Sequence, residues 1–243
     1  MKLALISDIH GNAEALKSVL NDLSIVGATH VAVLGDLSFR GPRPKECLDL
    51  VRELQGKVIK GNADEWIVRG VKKGEVPGPV LEMMQKEQAW AREQLTVDDV
   101  NYLSKLPETL DLPLSNQDQL YACHATPSSL FDIVSNEADN DSFSVYTEAN
   151  KRATYYAYGH IHLPFLRAFS EKKIINTGSV GLPFDGDVRA SYVVLDSTHN
   201  DINVQFRRVS YDVEKACHAL DEVNYPEAAK EVVKRIYTTG SKP

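Results

Sequence analysis

The chain has 243 residues, 43% of them apolar, and carries a net charge of −7 from 27 basic and 34 acidic side chains. That length and apolar content allow one large cored domain, or a domain with an insertion. The acidic balance and the lack of any basic block argue against stable binding to duplex nucleic acid or an anionic membrane surface, and no apolar run approaches the ~20 residues that span a bilayer.

Three cysteines, Cys47, Cys123 and Cys217, stand far apart in no metal-type spacing, as expected of reduced thiols. No secretory leader is read ahead of Asp8, so the expectation is a soluble, cytoplasmic protein.

Taken in chain order, residues 2–6 form a short apolar run of the kind a buried strand needs. The run ends in Ser7-Asp8-Ile9-His10-Gly11-Asn12. Residues two apart on an extended backbone point the same way, so Asp8 and His10 can hold one divalent metal. Taken by itself, the segment is equally open to reading as a cap on the helix predicted over 12–25, which Gly27 closes. A second run, 30–34, leads into Gly35-Asp36, and a helix over 45–54 leads to a third run, 57–60, that ends in Gly61-Asn62-Ala63-Asp64. Strand–helix–strand order implies parallel pairing through right-handed crossovers, and such sheets gather functional groups where their strands end.

Glycines and prolines crowd residues 70–79, a boundary signal. Residues 80–106 then read as two helices divided near Thr96, a helical insertion over about 74–106 in an otherwise single domain, 1–243. Strands follow at 109–114 and 119–123, the second terminating in His124, with a helix expected over 141–152. The strand over 154–158 ends in Gly159-His160-Ile161-His162, and a hairpin pairs 165–169 with 173–176. A glycine-rich loop, 176–183, precedes a last hairpin, 190–196 with 202–209 around 198–201, and two helices near 213–220 and 226–237.

Six strands thus end in Asp8/His10, Asp36, Asn62, His124, His160/His162 and the 176–179 loop. Five of these supply oxygen or imidazole ligands and none a thiolate, a set suited to a borderline divalent metal. The ligand count matches two metals that share one carboxylate, each with room for water or a substrate oxygen. His30, His199 and His218 lie off these strand ends and read as surface or packing residues.

In order, Asp8-Ile9-His10, Gly35-Asp36 to Gly41, Gly61-Asn62-Ala63-Asp64, His124 and Gly159-His160-Ile161-His162 resemble the signature of the calcineurin-like metallophosphoesterases. The resemblance implies an α/β (α+β) fold, a four-layer αββα sandwich of two sheets with helices outside. It makes Asp36 the bridge between two divalent ions (manganese, iron, zinc or cobalt). Asp8, His10 and His162 complete one site, and Asn62, His124 and His160 the other. Asp36, Asn62 and His124 are the implied catalytic residues, and hydrolysis would proceed by in-line attack of a metal-bridging hydroxide on phosphorus. The implied substrate is a small phosphodiester or a nucleotide, with the helical insertion and the Gly-Ser-Val-Gly-x-Pro loop similar to diadenosine tetraphosphatase-like proteins. Phosphoprotein serine/threonine hydrolysis is the enzymatic alternative. A protein-binding scaffold, as in the retromer subunit of this fold that has lost metal ligands, is the alternative of another class.

The family often places a proton-donating histidine where this chain has Ala63, which leaves Asp64 to cap a helix expected over 65–71. Arg40 is open to reading as a phosphate ligand or a surface ion pair, and so is Lys60. Arg189 is open to reading as a cover over the glycine loop or a structural salt bridge.

Overall fold

The computed structural model describes residues 1–198 and 201–242. His199 and Asn200, within the turn expected at 198–201, lie outside the described residues.

The first sheet has the order β10-β9-β1-β2-β3. Its strands are β1 (Lys2–Ile6), β2 (His30–Val33), β3 (Lys57–Val58), β9 (Ala190–Asp196) and β10 (Asn203–Val209). β1, β2 and β3 pair in parallel, with Leu5 opposite Ala32 and Val33 opposite Val58. Helices α1 (Ala13–Val26) and α2 (Pro44–Glu53) make the crossovers. The Asn12 side chain accepts from the Ala15 amide at the start of α1, and Gly27 closes its end with a left-handed φ of 67°.

The second sheet runs β4-β5-β6-β8-β7, from β4 (Thr109–Pro113), β5 (Gln119–Cys123), β6 (Tyr155–Tyr158), β7 (Phe165–Phe169) and β8 (Lys172–Asn176). β4–β5 and β7–β8 are antiparallel, whereas β5, β6 and β8 are parallel. The hairpin-rich second half therefore also contains a parallel core, made by α6 (Asn140–Ala149) crossing between β5 and β6.

The sheets pack face to face. Leu3, Leu5, Ala32, Leu34 and Val193 of the first meet Leu120, Ala122, Ala157 and Ile175 of the second. Alternate residues of β1, Ala4 and Ile6, face the other way into a core shared with α1 and α2, as the two-residue period of a strand requires. Phe143 and Tyr146 of α6 cover the outer face of the second sheet against Tyr156 and Tyr158. The result is four layers, helix, sheet, sheet, helix.

Helix α3 (Asn62–Arg69) starts at Asn62, three residues earlier than expected, because Asp64 serves as its third residue and accepts from the Gly61 amide. A short 3-10 turn (Gly78–Val80) leads into α4 (Leu81–Glu93) and α5 (Val97–Ser104), with Thr96 and Asp99 forming a reciprocal cap. These two helices share the main core. Met84, Ala91, Leu95, Val100 and Leu103 are buried in the same core as β1 and α1. Helices α7 (Val213–Glu222) and α8 (Glu227–Thr239) close the chain. Cys47, Cys123 and Cys217 are free thiols, the first two buried. No described helix is long and apolar enough to cross a membrane.

Candidate metal centre

The parallel strands of both sheets end on one side of the sandwich, and the seven predicted ligands follow those ends. Asp8 and His10 follow β1, Asp36 follows β2, Asn62 follows β3, His124 follows β5, and His160 and His162 follow β6. Asp8, His10, Asp36, His160 and His162 all sit at positive φ, between 50° and 66°. For residues with a Cβ that conformation costs on the order of 1 kcal/mol each. It turns consecutive side chains toward one point, and backbone bonds hold it: the Asp8 amide to Gly35 O at 3.1 Å, the His10 amide to Asp36 O at 2.9 Å and the Gly159 amide to His124 O at 2.9 Å. Gly35 and Gly61 abut so closely that a Cβ on Gly35 would collide with the Gly61 backbone, so this junction requires the Gly of both motifs.

Two groups of ligand atoms result. In the first, single atoms of Asp8, His10, Asp36 and His162 all lie within 4.8 Å of one another. His162 Nε2 is 3.1 Å from Asp8 Oδ1, and His10 Nε2 is 3.6 Å from Asp36 Oδ2. In the second, Asn62 Oδ1 lies 2.9 Å from His124 Nε2 and 2.8 Å from His160 Nδ1. His124 Nε2 is 3.4 Å from the same Asp36 Oδ2. One oxygen of Asp36 thus faces both groups, while its other oxygen accepts from the Ala63 amide at 2.8 Å.

The donor set calls for cations. His10, His124 and His162 each place Nδ1 against a main-chain carbonyl, of Phe39 at 2.8 Å, Leu34 at 2.7 Å and Leu182 at 2.5 Å. A carbonyl only accepts, so Nδ1 carries the proton and Nε2 of a neutral ring presents a bare lone pair inward. The Nε2 atoms of His10 and His162 then oppose each other at 3.1 Å, a repulsion that a shared cation relieves. Burial lowers the His124 pKa, but Asp36, Asp8 and the Leu34 carbonyl outweigh it and carry it up to about 9. Burial pushes His10 and His160 down to about 4, which keeps both rings neutral and able to ligate. Asp36 stays ionised, because His124 and His10 overcome its burial.

Residues around the ligands, several of them in the 176–179 loop, hold this set in place. Ser7 Oγ donates to Asp8 Oδ2 at 2.5 Å, Ser179 Oγ donates to Asp8 O at 2.8 Å, and Asn176 Nδ2 donates to Gly159 O at 2.6 Å. The glycine-rich loop therefore supports the ligands from behind. Phe184 lies stacked on the His162 ring, with centroids 4.3 Å apart. Asp64 accepts from the amides of Asp36 (2.8 Å), Gly61 (2.9 Å) and Leu37 (3.0 Å). Burial and the neighbouring Asp36 raise its pKa to about 7. It clamps the Asp36 loop to the start of α3 besides capping that helix.

Of the three basic residues expected at the substrate, Lys60 and Arg189 are engaged with other groups. Lys60 Nζ donates to Glu65 Oε2 at 3.2 Å and to Ser104 O at 3.1 Å, tying β3 to the insertion. The exposed Arg189 makes a two-pronged pair with Asp187, the structural salt bridge rather than a cover over the loop. Arg40 is different. Its Nε is 3.7 Å from Glu87 Oε2, and among the described residues its Nη atoms make no hydrogen bond. Exposed His30 bonds to Thr29 Oγ1, and His218 faces Glu222 at the surface.

The calcineurin-like phosphoesterase superfamily domain matches residues 1–200. An uncharacterized protein of Methanocaldococcus jannaschii is 28% identical, over 93% of this chain and 94% of its own. The phosphodiesterase YfcE of Escherichia coli is 26% identical, over 81% of this chain and 88% of its own. Among solved structures, a metallophosphoesterase from Sphaerobacter thermophilus superposes over 99% of both chains with a TM-score of 0.79 and 26% identity. With its motifs in order, its predicted ligands gathered at the strand ends and that match across most of its length, the chain belongs to the calcineurin-like phosphoesterase superfamily.

Proposed function

We propose that this protein is a dinuclear metal-dependent phosphodiesterase or nucleotide hydrolase. Asp8, His10, Asp36 and His162 would hold one divalent ion, and Asp36, Asn62, His124 and His160 the second. The observation that carries the reading is the single Asp36 oxygen lying 3.6 Å from His10 Nε2 and 3.4 Å from His124 Nε2, the place of a ligand common to two sites. The relationship to YfcE, named as a phosphodiesterase, supports the substrate class.

Divalent transition metals, when bound, supply Lewis acidity and lower the pKa of coordinated water toward neutrality. The chain itself does the rest. The carbonyls of Phe39, Leu34 and Leu182 accept from Nδ1 of three histidines, which turns each Nε2 inward as the atom that would ligate. The Nη atoms of Arg40 are available to a phosphate oxygen, where a guanidinium stabilises developing charge. Ala63 and Asp64 offer no proton to a leaving group, since Ala63 has no titratable group and both Asp64 oxygens are engaged by backbone amides. Substrates with weakly basic leaving groups, aryl diesters and nucleoside polyphosphates, fit that gap best. It counts against the phosphoserine alternative. The complete ligand set counts against a scaffold that has lost its metals.

The test is metal analysis of protein loaded with manganese, iron, zinc or cobalt, followed by a substrate panel. The panel comprises bis-p-nitrophenyl phosphate, p-nitrophenyl phosphate, a dinucleoside tetraphosphate, a cyclic nucleotide and a phosphopeptide. Two ions per chain and preference for the diester or the dinucleotide are expected. Fewer than two ions, or a phosphopeptide turned over best, overturns the reading.

A further inference from the structure

Glu87 is the one fully buried carboxylate of the inserted helix α4, and it stands at 0% exposure. Its Oε1 accepts from the hydroxyl of Tyr225, in the connection between α7 and α8. Its Oε2 has no hydrogen-bond partner and faces only Arg40 Nε, itself buried and unpartnered, at 3.7 Å. A buried carboxylate is costly unless a cation answers it, and within 4 Å Arg40 is the cation that answers Glu87.

Arg40 is placed with equal care. It sits at φ 78°, a strained conformation for a residue with a Cβ. It directly follows Phe39, whose carbonyl holds the His10 ring, and precedes Gly41, which packs against the His10 backbone with no room for a Cβ. Its side chain is 18% exposed. With Nε sunk against Glu87, the fork of Nη atoms is the part that reaches solvent, and the Arg40 charge is felt at the His10 ring. The guanidinium is therefore held at Nε by Glu87 of α4, on a backbone that adjoins the Phe39 carbonyl supporting His10, while its Nη atoms stay without a hydrogen bond among the described residues.

We infer that Glu87 is a positioning residue that, held in turn by Tyr225, aims the Arg40 guanidinium at a phosphate group in the metal centre. The helical insertion and the C-terminal helices thereby act on substrate binding without touching substrate. The inference rests on the proposed function for the phosphate itself. A fork fixed at Nε presents two parallel N–H groups to an anion and spends little conformational entropy on binding. An Arg40 released from Glu87 has to be ordered each time.

The experiment measures binding of inorganic phosphate to manganese-loaded protein by calorimetry, alongside steady-state hydrolysis of bis-p-nitrophenyl phosphate. Glu87→Gln keeps the shape and the Tyr225 contact but removes the charge. It should weaken phosphate binding about tenfold, the scale of one charge-assisted hydrogen bond, and raise KM in proportion while kcat moves much less. Tyr225→Phe, which deletes one hydroxyl from the chain of contacts, should shift binding in the same direction by a smaller factor and serves if Glu87→Gln folds poorly. Arg40→Lys and the double variant Arg40→Lys/Glu87→Gln should bind phosphate equally weakly, because the two residues act as one unit.

Phosphate affinity within twofold of the parent in both Glu87→Gln and Tyr225→Phe overturns the inference. Multiplying losses in the double variant, or no phosphate binding by the parent, does so as well. A parent that binds phosphate but cleaves no diester sinks the functional reading and leaves the pair standing. Diester cleavage with unchanged phosphate affinity in the variants does the reverse.

Discussion

Ala63 stands where the resemblance to the family signature leads one to expect a proton-donating histidine, and replacing it tests the site at that point. From sequence, Ala63→His with Asp64 as partner would be expected to supply a missing proton donor. The structure argues the opposite. Ala63 is fully buried and belongs to the core cluster that includes Phe39, Trp66 and Ile67. Its amide holds Asp36 Oδ1, and both oxygens of Asp64 are engaged by three backbone amides. An imidazole there overpacks the core at about 1–3 kcal/mol, and a buried ring without a partner costs a further ~1–3 kcal/mol. The sum is roughly 2–6 kcal/mol. At ~2–4 °C per kcal/mol for a chain of this length, Tm should fall by roughly 5–20 °C. The assays are thermal unfolding of metal-loaded protein and kcat/KM across aryl and alkyl phosphodiesters of graded leaving-group pKa. The variant should be less stable and keep the same steep dependence on leaving group. A variant that melts within 2 °C of the parent and selectively gains on alkyl esters would show that the side chain reaches the site and can recruit Asp64, refuting the reasoning.

Asp36→Asn should strip both metals, with a loss of affinity beyond the ~10–100-fold that loss of an outer-shell partner costs. His124→Ala should lose one ion and recover in part with excess manganese; near-normal turnover of Asp36→Asn without added metal contradicts the shared-ligand role. Deleting the insertion should abolish folding, not retune specificity, because Met84, Leu95, Val100 and Leu103 are core residues whose loss at about 2–5 kcal/mol each rivals a total stability of ~5–15 kcal/mol; a soluble, cooperatively melting truncated chain would refute this. Asp22 accepts from Arg207 and from the Tyr192 hydroxyl, and these bonds overcome its burial and hold its pKa below the ordinary 3.8. That contribution, about 1–2 kcal/mol, is present above pH ~4 and fades as pH falls through the lowered value, so Asp22→Asn should flatten the acid limb of a stability profile measured by urea unfolding.

Local pattern carried much of this protein. The apolar run 2–6, the 3.6-residue periodicity of α1 with Gly27 at its end, and the Thr96 cap of α5 are short-range facts of propensity and capping. They put β1, β2, β3, β5 and β6 in place, and with them the loops that bear Asp8, His10, Asp36, Asn62, His124, His160 and His162. Pairing between distant strands was not local. The parallel contacts of β5, β6 and β8 hide behind two hairpins that read as antiparallel from sequence, because parallel register is a matter of which strands meet across a crossover. What a charged side chain faces was not local either. Lys60 and Arg40 stand in similar places beside their motifs, yet Lys60 is drawn off by Glu65 and Ser104 while Arg40 keeps a free edge. Glu87, in a helix whose pattern is otherwise ordinary, meets Arg40 and Tyr225 only because α4 packs between the strand ends and the C-terminal helices. Composition and periodicity determined where the elements and the ligand-bearing loops fall. The long-range packing of the insertion decided which polar groups answer one another, since the energy of a buried charge depends on its neighbours in space and not on those in sequence.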